Sequence, residues 1–242
     1  MPAASPSVAV FSLALAVGLA LTHLLRLPGP SSPTGLSLAG GISAAYVFLH
    51  LLPALALAEA ISEETAVIRT HLVVYRVYAL ALLGMVLFYT LQKGRKLGRL
   101  AEGGPGPSRL NFWLTVAGHA ALSLLVGYLL LRRPKTGVAS MVIFSLAMFS
   151  HFMRYDSGLR RDYGPDFDRV ARWVLAATVM AGWLLGFLTR LPWPLVAGWI
   201  AVLAGAIILT ALREEVPEER QSRPGAFALG AALLTLLVAL SG

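Results

Sequence analysis

The chain has no cysteine among its 242 residues, and only 13% of them are charged. The first absence excludes disulfides, thiolate metal sites and thiol catalysis. The second excludes more. A soluble domain carries about 25% charged residues, and half that share leaves too little polar surface to coat a globule in water. A soluble enzyme, a nucleic-acid module and a disordered chain are ruled out on this ground, despite a net charge of +8 and a pI near 10.3. Catalytic signatures are missing too: there is no H-E-x-x-H, no G-x-S-x-G and no C-x-x-C-H, so no hydrolase or haem-attachment motif is spelled out. The expectation is a protein that is not an enzyme and has no nucleic-acid partner.

What the chain has in excess is oil. It is 57% hydrophobic, with a mean hydropathy of +0.73. A helix that crosses the hydrocarbon of a bilayer needs about 20 mostly apolar residues. Eight such runs are bounded by charge, proline or glycine: 7–26, 35–58, 71–91, 110–131, 137–159, 170–190, 193–212 and 224–241. The predicted class is all-α, a single polytopic membrane domain of eight transmembrane helices over 1–242, with no room for a soluble domain. The first run lacks a positive n-region and an A-x-A site, so it reads as a retained helix rather than a cleaved signal peptide. The stretch 92–109, QKGRKLGRLAEGGPGPSR, reads as a flexible basic loop.

Charge then sets orientation. With both ends outside, the inner loops hold 14 of the 20 basic residues, among them Lys93, Arg95, Lys96, Arg99, Arg160, Arg161, Arg169 and Arg213. The positive-inside bias predicts N-out, C-out, and the short chain fits a bacterial inner membrane.

In hydrocarbon a polar side chain is costly unless paired or facing a cavity, so each is a functional lead. His50, His119 and His151 lie near the middle of their runs. Three imidazoles can hold a divalent cation or relay protons, or each can hydrogen-bond a neighbouring helix. His23 and His71 fall at helix ends and read as interfacial. The fifth run clusters His151, Arg154, Tyr155 and Asp156. His151 and Tyr155 share a helix face, while Asp156 lies about 140° round from His151. Small residues recur at helical spacing, at Gly40-Gly41, Gly182 and Gly186, and Ala201 and Gly205; close helix packing is the ordinary reading.

The segment LAGGISAAYVFLHLLPALALAEA (38–60) resembles the second helix of the ZIP (Zrt/Irt-like) metal transporters, a GG start, an aliphatic stretch and then HLLPE. Gly40, Gly41, His50 and Pro53 match, with Ala54 at the glutamate position. The stretch 203–234 resembles the family's last two helices, with Glu214, Pro217 and Glu218 on its acidic-Pro-Glu pattern. Against the fifth-helix signature H-E-x-P-H-E-x-G, the residues are His151, Phe152, Met153, Arg154, Tyr155, Asp156, Ser157 and Gly158. The first histidine, last acid and glycine survive; the middle Glu, Pro and His do not. Against the fourth-helix signature H-N-x-x-D/E-G, Leu122 to Val126 replace every ligand before Gly127, with His119 one turn earlier.

The resemblance implies an eight-helix fold and transport or binding of a divalent metal ion such as zinc, iron or manganese. His151 and Asp156 are the implied ligands, supported by His119, His50 or Glu214. Arg154, a permanent cation where relatives hold a metal, implies an alternative: a non-transporting protein on the same scaffold, with an Arg154-centred network in place of the ion. A third reading, an intramembrane enzyme or redox protein using His50, His119 and His151, lacks its motifs. The expected surroundings are the lipid bilayer and a divalent ion, with a homodimer open to the chain.

Overall fold

Oil leaves a backbone no water to bond with, so apolar stretches close their hydrogen bonds internally as helices. The computed structural model describes residues 6–25, 33–64, 75–100, 109–132, 138–210 and 223–241, and among them there is no strand. The helices are α1 (Pro6–Leu24), α2 (Pro33–Tyr46), α3 (Leu52–Glu64), α4 (Arg76–Leu100), α5 (Arg109–Arg132), α6 (Val138–Tyr163), α7 (Arg172–Leu188), α8 (Trp193–Thr210) and α9 (Pro224–Ser241). A π-helical turn, Val47–Leu51, joins α2 to α3, and another, Phe167–Ala171, leads into α7. Among the described residues, five helical stretches are long and apolar enough to cross a membrane: Ser7–Leu24, Ser37–Leu57, Arg109–Arg132, Val138–Tyr163 and Phe167–Leu188. Two shorter apolar helices follow, Trp193–Leu209 and Pro224–Leu240. Large side chains such as Val10, Leu82, Leu110, Leu188, Leu236 and Leu240 stay exposed. In water they would form an aggregating surface; in lipid they are a belt. The architecture is that of an all-α, multi-pass membrane protein.

Two local features differ from the expected runs. The basic stretch from Lys93 to Arg99 is not loop but the end of α4, which continues to Leu100. Its polarity ends the apolar run without ending the helix, because outside oil a helix needs no apolar face all round. Residues 160–169 also carry helix rather than an open connection. α6 runs to Tyr163 and stops at Gly164, whose φ of 48° places it in the left-handed region that caps helices. The Gly164 N–H donates to the Arg160 carbonyl at 2.8 Å. Helix resumes at once with Pro165, whose missing N–H is harmless in a first turn.

The chain divides into two compact units. The first comprises Met1–Ser31, Leu91–Arg190 and Leu240–Gly242. Within it, α5 and α7 press backbone to backbone. A Cβ on Gly127 would collide with the Val179 carbonyl, and one on Gly182 with the Leu124 carbonyl, which is how small residues let helices approach in oil. The Trp183 indole N–H donates to Ser12 Oγ at 3.1 Å, tying α7 to α1. Phe112, Val116, Tyr155, Leu159, Tyr163, Phe167, Ala171 and Leu175 form one buried cluster between α5, α6 and the α7 entry.

The second unit comprises Ser32–Thr90 and Leu191–Ala239. It repeats the glycine device twice: Gly41 meets Phe227 and Gly230 meets Leu38, while Gly84 meets Val202 and Gly205 meets Ala81. The π turn stands just before Pro53, whose ring would strike the carbonyl four residues back in a regular helix; widening the helix relieves that contact. Glu59, buried on α3, accepts the Val77 N–H through Oε2 at 2.8 Å. A carboxylate there satisfies an otherwise orphan donor and meets the positive end of the α4 dipole.

Candidate functional site

The first unit gathers buried titratable side chains on α1, α5 and α6. His23 on α1 donates its Nδ1–H to Asp156 Oδ2 on α6 at 2.7 Å, with the two residues 1% and 4% exposed. The Phe152 ring flanks the His23 imidazole at 4.6 Å between centroids. His23 Nε2 and Asp156 Oδ1 are both buried and have no partner among the described residues. This pair joins positions 133 apart in sequence. His23 stands in the last turn of α1, at a helix end as expected, but it is the buried partner of Asp156 rather than an outward-facing side chain.

His119 and His151 belong to the same unit and face Tyr155. The His119 ring lies on Tyr155 at 3.4 Å with the planes 13° apart, and its Nδ1–H donates to the Thr115 carbonyl at 2.8 Å. His151 stacks on Tyr155 at 6.3 Å and 18°, as the shared helix face predicts. Both histidines are buried. Tyr163, two turns on from Tyr155, shares a 3.2 Å hydrogen bond with Thr115. α6 therefore presents Asp156 to α1 and its His151–Tyr155 face to aromatic stacking, the divergence that an angle of about 140° between 151 and 156 requires.

His50 lies in the second unit, on the π turn, with its ring stacked on Tyr46 at 5.4 Å and 12°. Glu214, with Pro217 and Glu218, lies outside the described residues, as do His71 and the side chain of Arg154. Among the described residues, no three His, Asp or Glu side chains stand close enough together to hold one metal ion. Of the candidate donors, Asp156 bonds His23 directly, and His23 carries no sequence signal beyond being a histidine three residues before the end of the apolar run 7–26.

Compared with family models, with curated proteins and with solved structures, the chain gives no match in any of the three.

Proposed function

We propose that the chain is an eight-span membrane protein on a ZIP-like scaffold, both ends outside, that binds and passes a divalent cation. The observation that carries this reading is the pair of unpartnered buried atoms, His23 Nε2 and Asp156 Oδ1. A pair kept only for stability gains nothing from burying two further polar atoms, and buried polar atoms without partners in a folded protein call for an ion, a water or a reaction. A neutral imidazole and a carboxylate together suit zinc, iron or manganese. The sparse donor set fits cargo rather than a permanent metal, because a transported ion must leave as well as enter. Alternating access would bring the remaining donors, His151 or His119 among them, to the ion and away from it.

The test is zinc, iron(II) and manganese uptake into proteoliposomes holding the purified chain. Uptake above protein-free vesicles, reduced by His151→Ala, supports the reading. Background uptake by the wild type overturns it.

One observation favours the non-transporting alternative: Asp156, the surviving acid of the family pattern, already has a hydrogen-bond partner in His23. In that case the imidazole, rather than Arg154, stands in for the ion. This reading predicts no metal in the purified protein and a large loss of thermal stability for His23→Ala.

A further inference from the structure

We infer that the end of the first unit where α5 and α7 begin is a docking surface for anionic phospholipid, with the headgroup phosphate held by Arg169 and Arg172 beside Trp173. The inference needs only the multi-pass membrane class and stands or falls apart from the cation reading.

The argument begins with where that end lies. Phe112 and Val116, early in α5, share a buried cluster with Phe167, Ala171 and Leu175 at the α7 entry. Arg132, last in α5, donates through Nε to the carbonyl of Gly186, near the end of α7, at 2.6 Å. The two helices therefore run parallel and start at the same end. That end carries Trp113 and Trp173, 45% and 54% exposed, beside exposed Leu114 and Val170. Exposed tryptophans among apolar side chains at the start of spanning helices form the belt at headgroup level. The end is at the bilayer surface.

Charge selects the lipid. The same end gathers Arg109, Arg160, Arg161, Arg169 and Arg172 against Asp162, Asp166 and Asp168. Arg160 is already committed: its Nε donates to Asp168 Oδ1 at 3.1 Å, and its guanidinium lies 5.2 Å from the Phe167 ring centre. That ion pair cancels, and the arginines left over outnumber the aspartates. Arg172, about one turn beyond Asp168, lays its guanidinium over the Trp173 ring, 5.2 Å to the centroid. A cation–π contact holds the head in place without using its N–H donors. A guanidinium held this way offers paired N–H groups to a phosphate, which accepts them as two parallel bonds. Arg169, three residues earlier, is its neighbour on the helix surface. Arg169 is exposed and Arg172 half-buried, so a headgroup reaches them sideways from the bilayer and no cavity is needed. A zwitterionic lipid would bring its own ammonium in among the arginines; an anionic lipid brings none, and each arginine near the surface favours it by about fivefold.

The test reads tryptophan fluorescence of the full chain in phosphatidylcholine vesicles that contain a minor share of chain-brominated phosphatidylglycerol or, in parallel, of chain-brominated phosphatidylcholine. Bromine quenches a tryptophan that it touches. For the wild type, brominated phosphatidylglycerol quenches more than brominated phosphatidylcholine at equal mole fraction, with an enrichment of about fivefold or more. Replacing both arginines, Arg169→Gln with Arg172→Gln, brings the two lipids level. Trp173→Phe removes the reporter and with it most of the excess. Equal quenching by the two lipids in the wild type overturns the inference, and so does an excess that survives the loss of both arginines. Should the arginine variant fold poorly, the wild type and Trp173→Phe decide: an excess undiminished in Trp173→Phe places the lipid elsewhere and overturns the assignment. None of these outcomes bears on cation uptake.

Discussion

His23 and Asp156 lie 133 residues apart and meet at 2.7 Å. Neither has another hydrogen-bond partner for its second polar atom among the described residues. Each side chain therefore depends on the other for its desolvation, and breaking the pair leaves the survivor buried and alone. Removing one member of a buried pair costs about 3–5 kcal/mol. His23→Ala and Asp156→Ala should each lower the unfolding midpoint in detergent, while the double variant loses less than the sum. A coupling energy of about 0.5–3 kcal/mol is expected for residues in direct contact; additive losses would mean that the pair contributes nothing as a pair.

The glycine contacts make a prediction with two signs. Gly127 and Gly182 stand where a Cβ would strike the backbone of the opposite helix, Val179 and Leu124 respectively, whereas a Cβ on Gly158 meets nothing within 4 Å. Gly182→Leu should separate α5 from α7 and abolish stable folding. Gly158→Ala, at an open helical position, should stabilise by up to about 1 kcal/mol, the helix-propensity difference between the two residues. Thermal melting of the two variants side by side reads both.

Gly164 adds a third. Its φ of 48° lies where an L side chain crowds the following carbonyl, at a cost of about 1–2 kcal/mol. Gly164→Ala should lower stability by that amount, although space at the position is open. A variant as stable as the wild type would mean that the α6 cap is not held in this conformation.

The absence of native cysteine makes the proposed orientation directly measurable. Single cysteines at Ser5 and Ser241 should react with an impermeant maleimide on intact cells. One at Ser108, in the basic stretch read as inside, should react only after permeabilisation. Labelling of Ser108→Cys on intact cells would reverse the orientation.

The apolar helices were legible because a spanning helix must be long and oily, and the runs at 7–26, 110–131 and 137–159 fall within a few residues of α1, α5 and α6. The packing role of Gly182 was legible from its spacing; its opposite number Gly127 was not, because the register between two helices is a tertiary fact. His151 and Tyr155 were legible as one face by helical geometry. His23 was missed because a helix-end position reads as interfacial unless the partner is known, and that partner lies on another helix. The long α4 was missed because its last turns are basic, and apolarity alone sets where a run stops, not where a helix does. Gly164-Pro165 spells a cap and a restart, a signal present in the sequence that hydropathy does not register.

The central claim, that the chain passes a divalent cation, is tested most directly by zinc uptake into proteoliposomes holding the purified wild type or Asp156→Ala. The account predicts uptake above protein-free vesicles for the wild type and its loss in the variant. Background uptake by the wild type would contradict it.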